Sequence, residues 1–257
     1  MNNIKYFFQF LIIIFFFTIF KIIGLRFSTL LSGKIFTFIG SFFRSKTLCH
    51  ENLGIAFLDY NTEQKNEIIK KMWFNYGCIF AEYVFINNIK KSQNITVENQ
   101  HILDELKRNS NPVIFVSGHF NNFELMAMYL EKSGVRLSAI YRPLNNIFLN
   151  PIMEKIRIKY ICRNQIKKGI GGLKKLINLK KDNFSTAIMI DQRVSEGILS
   201  NFFNHKALTT TIPAQLVKRF NIPIVPVYIE RIKDLNFKIT VHNPINFSKE
   251  DTLESIT

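Results

Sequence analysis

Hydrophobic positions run almost unbroken from residue 7 to residue 23, interrupted by Gln9 and Lys21. A helix that spans a bilayer comfortably needs about 20 apolar residues, so this run predicts a membrane-anchor helix of marginal length. Apolar residues continue from 25 to 43, broken by Ser28, Ser32, Gly33, Lys34 and Gly40, which predicts a second helix lying on the membrane or packed on the domain that follows. Asn61 and Gln64 have the spacing of a capping box, and they open a helix to about residue 86 with a stripe at Ile68, Ile69, Met72, Trp73, Tyr76, Phe80 and Tyr83. From there the period alternates. Helices are predicted over 98–107, 125–131, 146–160, 173–180 and 213–220, and strands over 113–116, 136–141, 185–190, 222–229 and 237–241. Pro223 and Pro226 suggest an edge or irregular position for the fourth strand. This alternation predicts an α/β fold, a mixed central sheet flanked by helices behind an N-terminal hydrophobic anchor. The domain division read from it is an anchor and interfacial helix over 1–45 and one globular domain over 46–257.

Composition narrows the partners. A formal charge of +15 and 26 Phe in 257 residues describe a folded, basic chain suited to an anionic membrane, an acidic carrier or nucleic acid. No nucleic-acid-binding motif is present, so that last partner is not expected. Cys49, Cys78 and Cys162 are scattered, with neither a disulfide framework nor a metal-ligand spacing; no metal site is expected. Gly24-Leu25-Arg26-Phe27 offers no small-residue cleavage site, so the anchor is expected to stay attached. Arg26, Lys34, Arg44 and Lys46 follow the apolar run and only Lys5 and the amino terminus precede it, an asymmetry that places the following domain on the cytoplasmic side. Lys167 and Lys168 precede Gly169, Gly171 and Gly172, but without the phosphate-loop spacing these glycines read as a turn.

The chemistry gathers where the strand of 113–116 breaks into Ser117-Gly118-His119-Phe120-Asn121-Asn122-Phe123-Glu124. In open α/β sheets ligands bind beyond the carboxyl ends of strands. His119 with Glu124, Arg142, and Asp191 stand at three such ends. An imidazole there can take a proton from a hydroxyl, and a carboxylate on its other nitrogen would fix the tautomer. Positions five apart on one helix diverge by about 140°, so His119 and Glu124 meet only if His119 lies in the turn before the helix. A structural role is open for each: with Asn121 as cap, Glu124 would complete a capping box, Arg142 would be a surface charge, and Asp191 would cap a loop. Ser117 lacks a nucleophile elbow.

Gly118-His119-Phe120-Asn121-Asn122-Phe123-Glu124 resembles the H-x4-E motif of the late (lauroyl/myristoyl) acyltransferases of bacterial lipid A biosynthesis, within the glycerolipid acyltransferase superfamily. The resemblance extends to Asn52-Leu53-Gly54-Ile55-Ala56-Phe57, to Tyr141-Arg142-Pro143-Leu144, and to Asp191-Gln192-Arg193 with Phe202-Phe203 and the 210–214 segment downstream. It implies a glycerolipid acyltransferase-like fold over 46–257 and transfer of an acyl chain from acyl-carrier protein to a hydroxyl of a lipid A precursor at the cytoplasmic face of the bacterial inner membrane. Under it His119 is the general base and Glu124 its orienting partner. Arg142 binds phosphate, and Asn122, Asp191, Gln192 and Arg193 support substrate binding. No cofactor is implied beyond the acyl carrier as co-substrate. Two alternatives stay open: a phospholipid or phosphatidylinositol-mannoside acyltransferase, and an inactive membrane-bound lipid-binding homologue. Members of this family usually continue through a Trp-rich C-terminal helix, which is expected to be missing where the sequence reaches Ser255-Ile256-Thr257.

Overall fold

The computed structural model describes residues 2–257; the side chains at 2, 170, 173, 177 and 179–181 lie outside that description. The chain divides into two compact units, one of Leu11–Ile86 and one of Met1–Phe10 with Asn87–Thr257.

The first is helical. Helix α1 (Asn2–Ile23) enters it from the other unit and is followed by α2 (Leu25–Ile39), α3 (Lys46–Ala56) and α4 (Thr62–Glu82). The stretch Asn3–Ile23 is long and apolar enough to cross a membrane. One face of its second half is packed: Phe20 is buried with Ala81 and Phe85, and Phe17 and Phe20 meet Phe80. The opposite face, with Ile12, Phe15 and Ile22, is exposed. Helices α2 and α4 touch backbone to backbone, since a Cβ at Gly77 would lie 2.3 Å from the Ser32 carbonyl oxygen. The predicted capping box is present in full: Asn61 accepts from the Gln64 N–H and Gln64 from the Asn61 N–H, each at 2.9 Å. The apolar faces of α2 and α4 pack on each other, and residues 46–86 group with α2 in the helical unit.

The second unit carries the sheet. After α5 (Ile86–Lys91) come β1 (Ile95–Glu98), α6 (Gln100–Asn109), β2 (Ile114–Ser117), α7 (Glu124–Lys132), β3 (Leu137–Tyr141) and α8 (Asn150–Ile156), which runs into a π-helical turn over Arg157–Ile161. Then follow β4 (Asn164–Lys167), α9 (Ile170–Lys181), β5 (Ser185–Met189), a hairpin of β6 (Ile198–Phe202) and β7 (His205–Thr209), α10 (Ile212–Phe220), β8 (Ile224–Lys233), β9 (Asn236–Val241) and α11 (Leu253–Ile256). Seven strands form a sheet in the order β1-β9-β8-β2-β5-β3-β4, parallel except where β8 pairs with β9. The expected mixed α/β sheet with flanking helices is therefore present.

Strand β2, fully buried, lies between β5 and β8, and Ile114, Val116, Ile188, Leu216, Val217 and Ile224 form a core against α10. Strand β8 is internal, so of the edge or irregular position its prolines suggested it takes the irregular one. Pro223 precedes it and offers its carbonyl to the Ile114 N–H, at 2.9 Å. Pro226 lies where the register with the returning chain slips by one residue, between Ile224↔Ile245 and Val227↔Val241. Its carbonyl still accepts from the His242 N–H, so one missing donor is tolerated at an irregularity.

Candidate active site

Strands β2, β5 and β3 are neighbours and parallel, so their carboxyl ends lie side by side. This brings His119, Asp191 and Arg142 to one edge of the sheet, the convergence that the motif order predicted. The Ile190 N–H donates to the Ser117 carbonyl at 2.9 Å and keeps β5 and β2 in register to their last residues. Past that point the Asp191 carboxylate turns back to His119. Its Oδ1 lies 2.7 Å from His119 Nδ1, and its Oδ2 accepts the His119 backbone N–H at 2.8 Å. A carboxylate only accepts, so Nδ1 carries the hydrogen and Nε2 is left with its lone pair. The Gln192 amide nitrogen lies 3.5 Å from Nε2, and the Phe123 ring stands edge-on to the imidazole, 4.6 Å between centroids. Burial raises the Asp191 pKa, but the side-chain and backbone bonds from His119, with its charge, outweigh that and hold it below the ordinary carboxylate value. Gly118 makes room for this pair: a Cβ there would lie 3.2 Å from Asp191 Oδ2 and 2.9 Å from the Phe120 ring.

Glu124 is placed differently from the sequence reading in two respects. It is the first residue of α7, with Phe123 at the cap position and no side-chain cap, because Asn121 adopts a left-handed backbone (φ 42°) two residues too early to cap. The proposed capping box is therefore not formed. Its carboxylate also points away from the turn: Oε1 accepts from Arg157 Nε at 2.9 Å and Nη2 at 2.6 Å. Both side chains are close to buried, 8% and 12% exposed, so this is an interior ion pair. Arg157 sits at the start of the π-helical turn, with its guanidinium 5.6 Å above the Tyr141 ring. The Tyr141 hydroxyl donates to Glu154 Oε1 at 2.6 Å, which also accepts from Asn150 and faces Lys167. Burial, then the bond to Glu154, pushes the Tyr141 pKa up.

These groups wall a cavity of about 420 Å³. His119, Glu124, Arg142 and Gln192 line it, together with Arg157 and Lys168. The rest of the wall is largely apolar, with Phe123, Met126, Ile140, Ile161, Met189 and Ile212. Arg142 and Lys168 follow paired residues of neighbouring strands, Tyr141 on β3 and Lys167 on β4, and both are exposed; among the described residues neither makes an ion pair. Asn122 is buried beneath the turn and Arg193 is exposed; neither lines the cavity. The sequence reading missed Arg157, one of several cations on a predicted helix, and gave Lys168 only a turn. The signal for Lys168 was its place at a strand end, which needed β4 to be recognised first.

The arrangement is a histidine–carboxylate pair beside a largely apolar cavity with exposed cations at its wall, which suits proton transfer on an amphiphilic, anionic substrate. Across residues 1–257 the chain matches the family model for bacterial lipid A biosynthesis acyltransferases. No curated protein matches it. The chain thus belongs to the bacterial lipid A biosynthesis acyltransferase family and is an acyltransferase acting on a lipid A-type glycolipid.

Proposed function

We propose that the chain moves a fatty acyl group from acyl-carrier protein to a hydroxyl of a lipid A precursor, with His119 as general base. The observation that carries this is the 2.7 Å contact between His119 Nδ1 and Asp191, which leaves Nε2 as the nitrogen able to accept a proton. The acceptor O–H gives its proton to Nε2 while the oxygen attacks the thioester carbonyl. The C–S bond of the tetrahedral intermediate then breaks, and the departing thiolate takes the proton back from the imidazolium. Asp191 stabilises that imidazolium, the role the motif alone gave to Glu124. Glu124 and Arg157 form the cavity floor as a neutralised pair. Arg142 and Lys168 receive the phosphate of the acceptor, because ammonium and guanidinium groups at strand ends favour a dianion. Gln192 steadies the base; Asn122 supports the turn from below, and Arg193 has no assigned part. The reaction as written needs no cofactor.

We place the protein at the inner membrane through α1, with the sheet-bearing unit on the cytoplasmic face. The cations Arg26, Lys34, Arg44 and Lys46 that follow α1's apolar run support that orientation. The test is transfer from labelled acyl-carrier protein to tetra-acylated lipid A precursor by the purified chain. His119→Ala is expected to lower kcat by roughly 10²- to 10⁴-fold with little change in KM. Transfer unaffected by that substitution would sink the base assignment, and transfer from acyl-coenzyme A alone would sink the donor.

A further inference from the structure

We propose that the β6–β7 hairpin is a membrane-inserting element of the sheet-bearing unit, its aromatic tip entering the interfacial layer of a bilayer that contains anionic lipid. This rests on the reading that the acceptor is a glycolipid taken from the membrane.

The hairpin departs from the site itself. It leaves β5 just past Asp191 and Gln192, and Val194 at its base lines the cavity. Among the described residues β6 and β7 pair only with each other, from Ile198↔Thr209 to Phe202↔His205, so the ribbon stands apart from the seven-stranded sheet. Its turn is the residue pair Phe203-Asn204, both with positive φ (48° and 61°). Tight hairpin turns of this kind favour small or amide residues at both positions, and Asn204 fits. A phenylalanine in that conformation is disfavoured locally. Nor does its ring gain burial: Phe203 is 52% exposed and Phe202 63%, the two rings meeting edge-to-face at 4.7 Å. Leu199 below them is 63% exposed. An aromatic tip in a disfavoured turn, left in solvent, is a segment made to be covered.

Charge and position identify the cover. Lys206 lies just past the tip and Arg193 stands at the base, against Glu196 as the acid of the same segment. Aromatic rings edged by cations match the boundary between headgroups and acyl chains of an anionic leaflet. The loop after β3, at the same edge of the sheet, exposes Ile147 and Phe148. There the start of α1 is fastened: Phe148 lies 5.5 Å from Phe7 and 6.2 Å from Phe10, and the Asn146 side-chain amide donates to the Tyr6 carbonyl at 2.8 Å. The apolar entry helix and the apolar tip are thus attached to loops after two neighbouring strands, with the cavity opening between those strand ends. An acidic carrier protein would be met by a cationic tip, not by paired phenyl rings, so the bilayer is the better occupant.

The experiment uses the full chain, whose own three cysteines are buried. Asn201→Cys, on the exposed side of β6, is labelled with an environment-sensitive fluorophore, and Glu250→Cys serves as the reference. On vesicles of phosphatidylethanolamine and phosphatidylglycerol, the label at 201 is expected to shift to the blue and to be quenched by brominated acyl chains, while that at 250 is not. Water-like emission at 201 on vesicles would overturn the proposal. So would a shift that appears only when acyl-carrier protein is added in detergent. A second readout is Phe202→Ser with Phe203→Ser: KM for acceptor in vesicles is expected to rise about tenfold, with activity on detergent-dispersed acceptor kept; equal loss in both would refute it. The fluorescence requires no turnover, so it stands or falls separately from the acyl-transfer reading, and His119→Ala is expected to insert normally.

Discussion

Replacing Asp191 by asparagine tests the centre of the site without changing its shape. The carboxylate accepts two hydrogen bonds from one residue, the Nδ1–H and the backbone N–H of His119. An amide has one accepting oxygen. If that oxygen keeps Nδ1–H, the amide NH2 faces the backbone N–H and a bond is lost. If it keeps the backbone N–H, the NH2 faces Nδ1, the imidazole must move its hydrogen to Nε2, and the base is then protonated on the working nitrogen. Either way the imidazolium formed during transfer loses its counter-charge. Two unit charges about 4 Å apart interact by about 4 kcal/mol at an effective dielectric constant near 20. The Asp191 side chain is 39% exposed, so solvent screening removes part of this. A loss of about 2–3 kcal/mol remains, equal to roughly 30- to 150-fold in kcat. The assay is acyl transfer at saturating acceptor, with the tautomer read by NMR of isotope-labelled histidine in detergent. Wild-type kcat in Asp191→Asn would refute the reasoning. So would a tautomer that changes in Glu124→Gln and not in Asp191→Asn.

Three further outcomes follow from the same geometry. The folded-state pKa of Asp191 is depressed, so its contribution to stability is present above its ordinary value of 3.8 and is lost as pH falls through the lowered one; the melting difference between wild type and Asp191→Asn is expected to persist at about pH 5 and to close only below about pH 3.8. Glu124→Ala removes the carboxylate facing the near-buried Arg157 guanidinium, which costs about 3–5 kcal/mol and about 10 °C in melting temperature, whereas adding Arg157→Leu is expected to restore most of the stability; a single variant that melts like wild type would count against the buried pair. Ala127 lines the cavity, so Ala127→Leu is expected to shift product from mixed acyl donors toward shorter chains, each excluded methylene being worth about 0.8 kcal/mol or about fourfold, as read by mass spectrometry; an unchanged chain-length profile would place the acyl chain elsewhere.

Much of this was legible in the pattern of the chain. The Asn61 cap, the buried strand before His119 and the order of strand ends carrying His119, Arg142 and Asp191 rest on local chemistry and period, which sequence displays. Strands β1 and β4 were not legible, since Ile95–Glu98 and Asn164–Lys167 are four-residue strands whose polar residues gain strand geometry only from their neighbours in the sheet. Pro226 left edge and irregular positions open because a proline is compatible with an interior strand wherever the register slips, and register is a property of the pair. The close approach of α4 to α2 was not legible either, since it depends on which glycines face each other across two helices.

The H-x4-E spacing gains a different meaning from this. Read alone, it suggests two side chains that must touch. In the folded chain it sets the distance between two separate side-chain pairs, one on each side of a turn. His119 is fixed by the end of β2 and meets the end of β5 through Asp191; Glu124 is fixed by the start of α7 and meets the π-helical turn through Arg157. One residue fewer in the turn would rotate Glu124 by about 100° around α7 and take it off Arg157. The motif is therefore as much a constraint on how strand, turn and helix are joined as on the reacting groups. That is why spacing alone pairs the second carboxylate with His119, while the carboxylate in contact with His119 is found 72 residues along the chain.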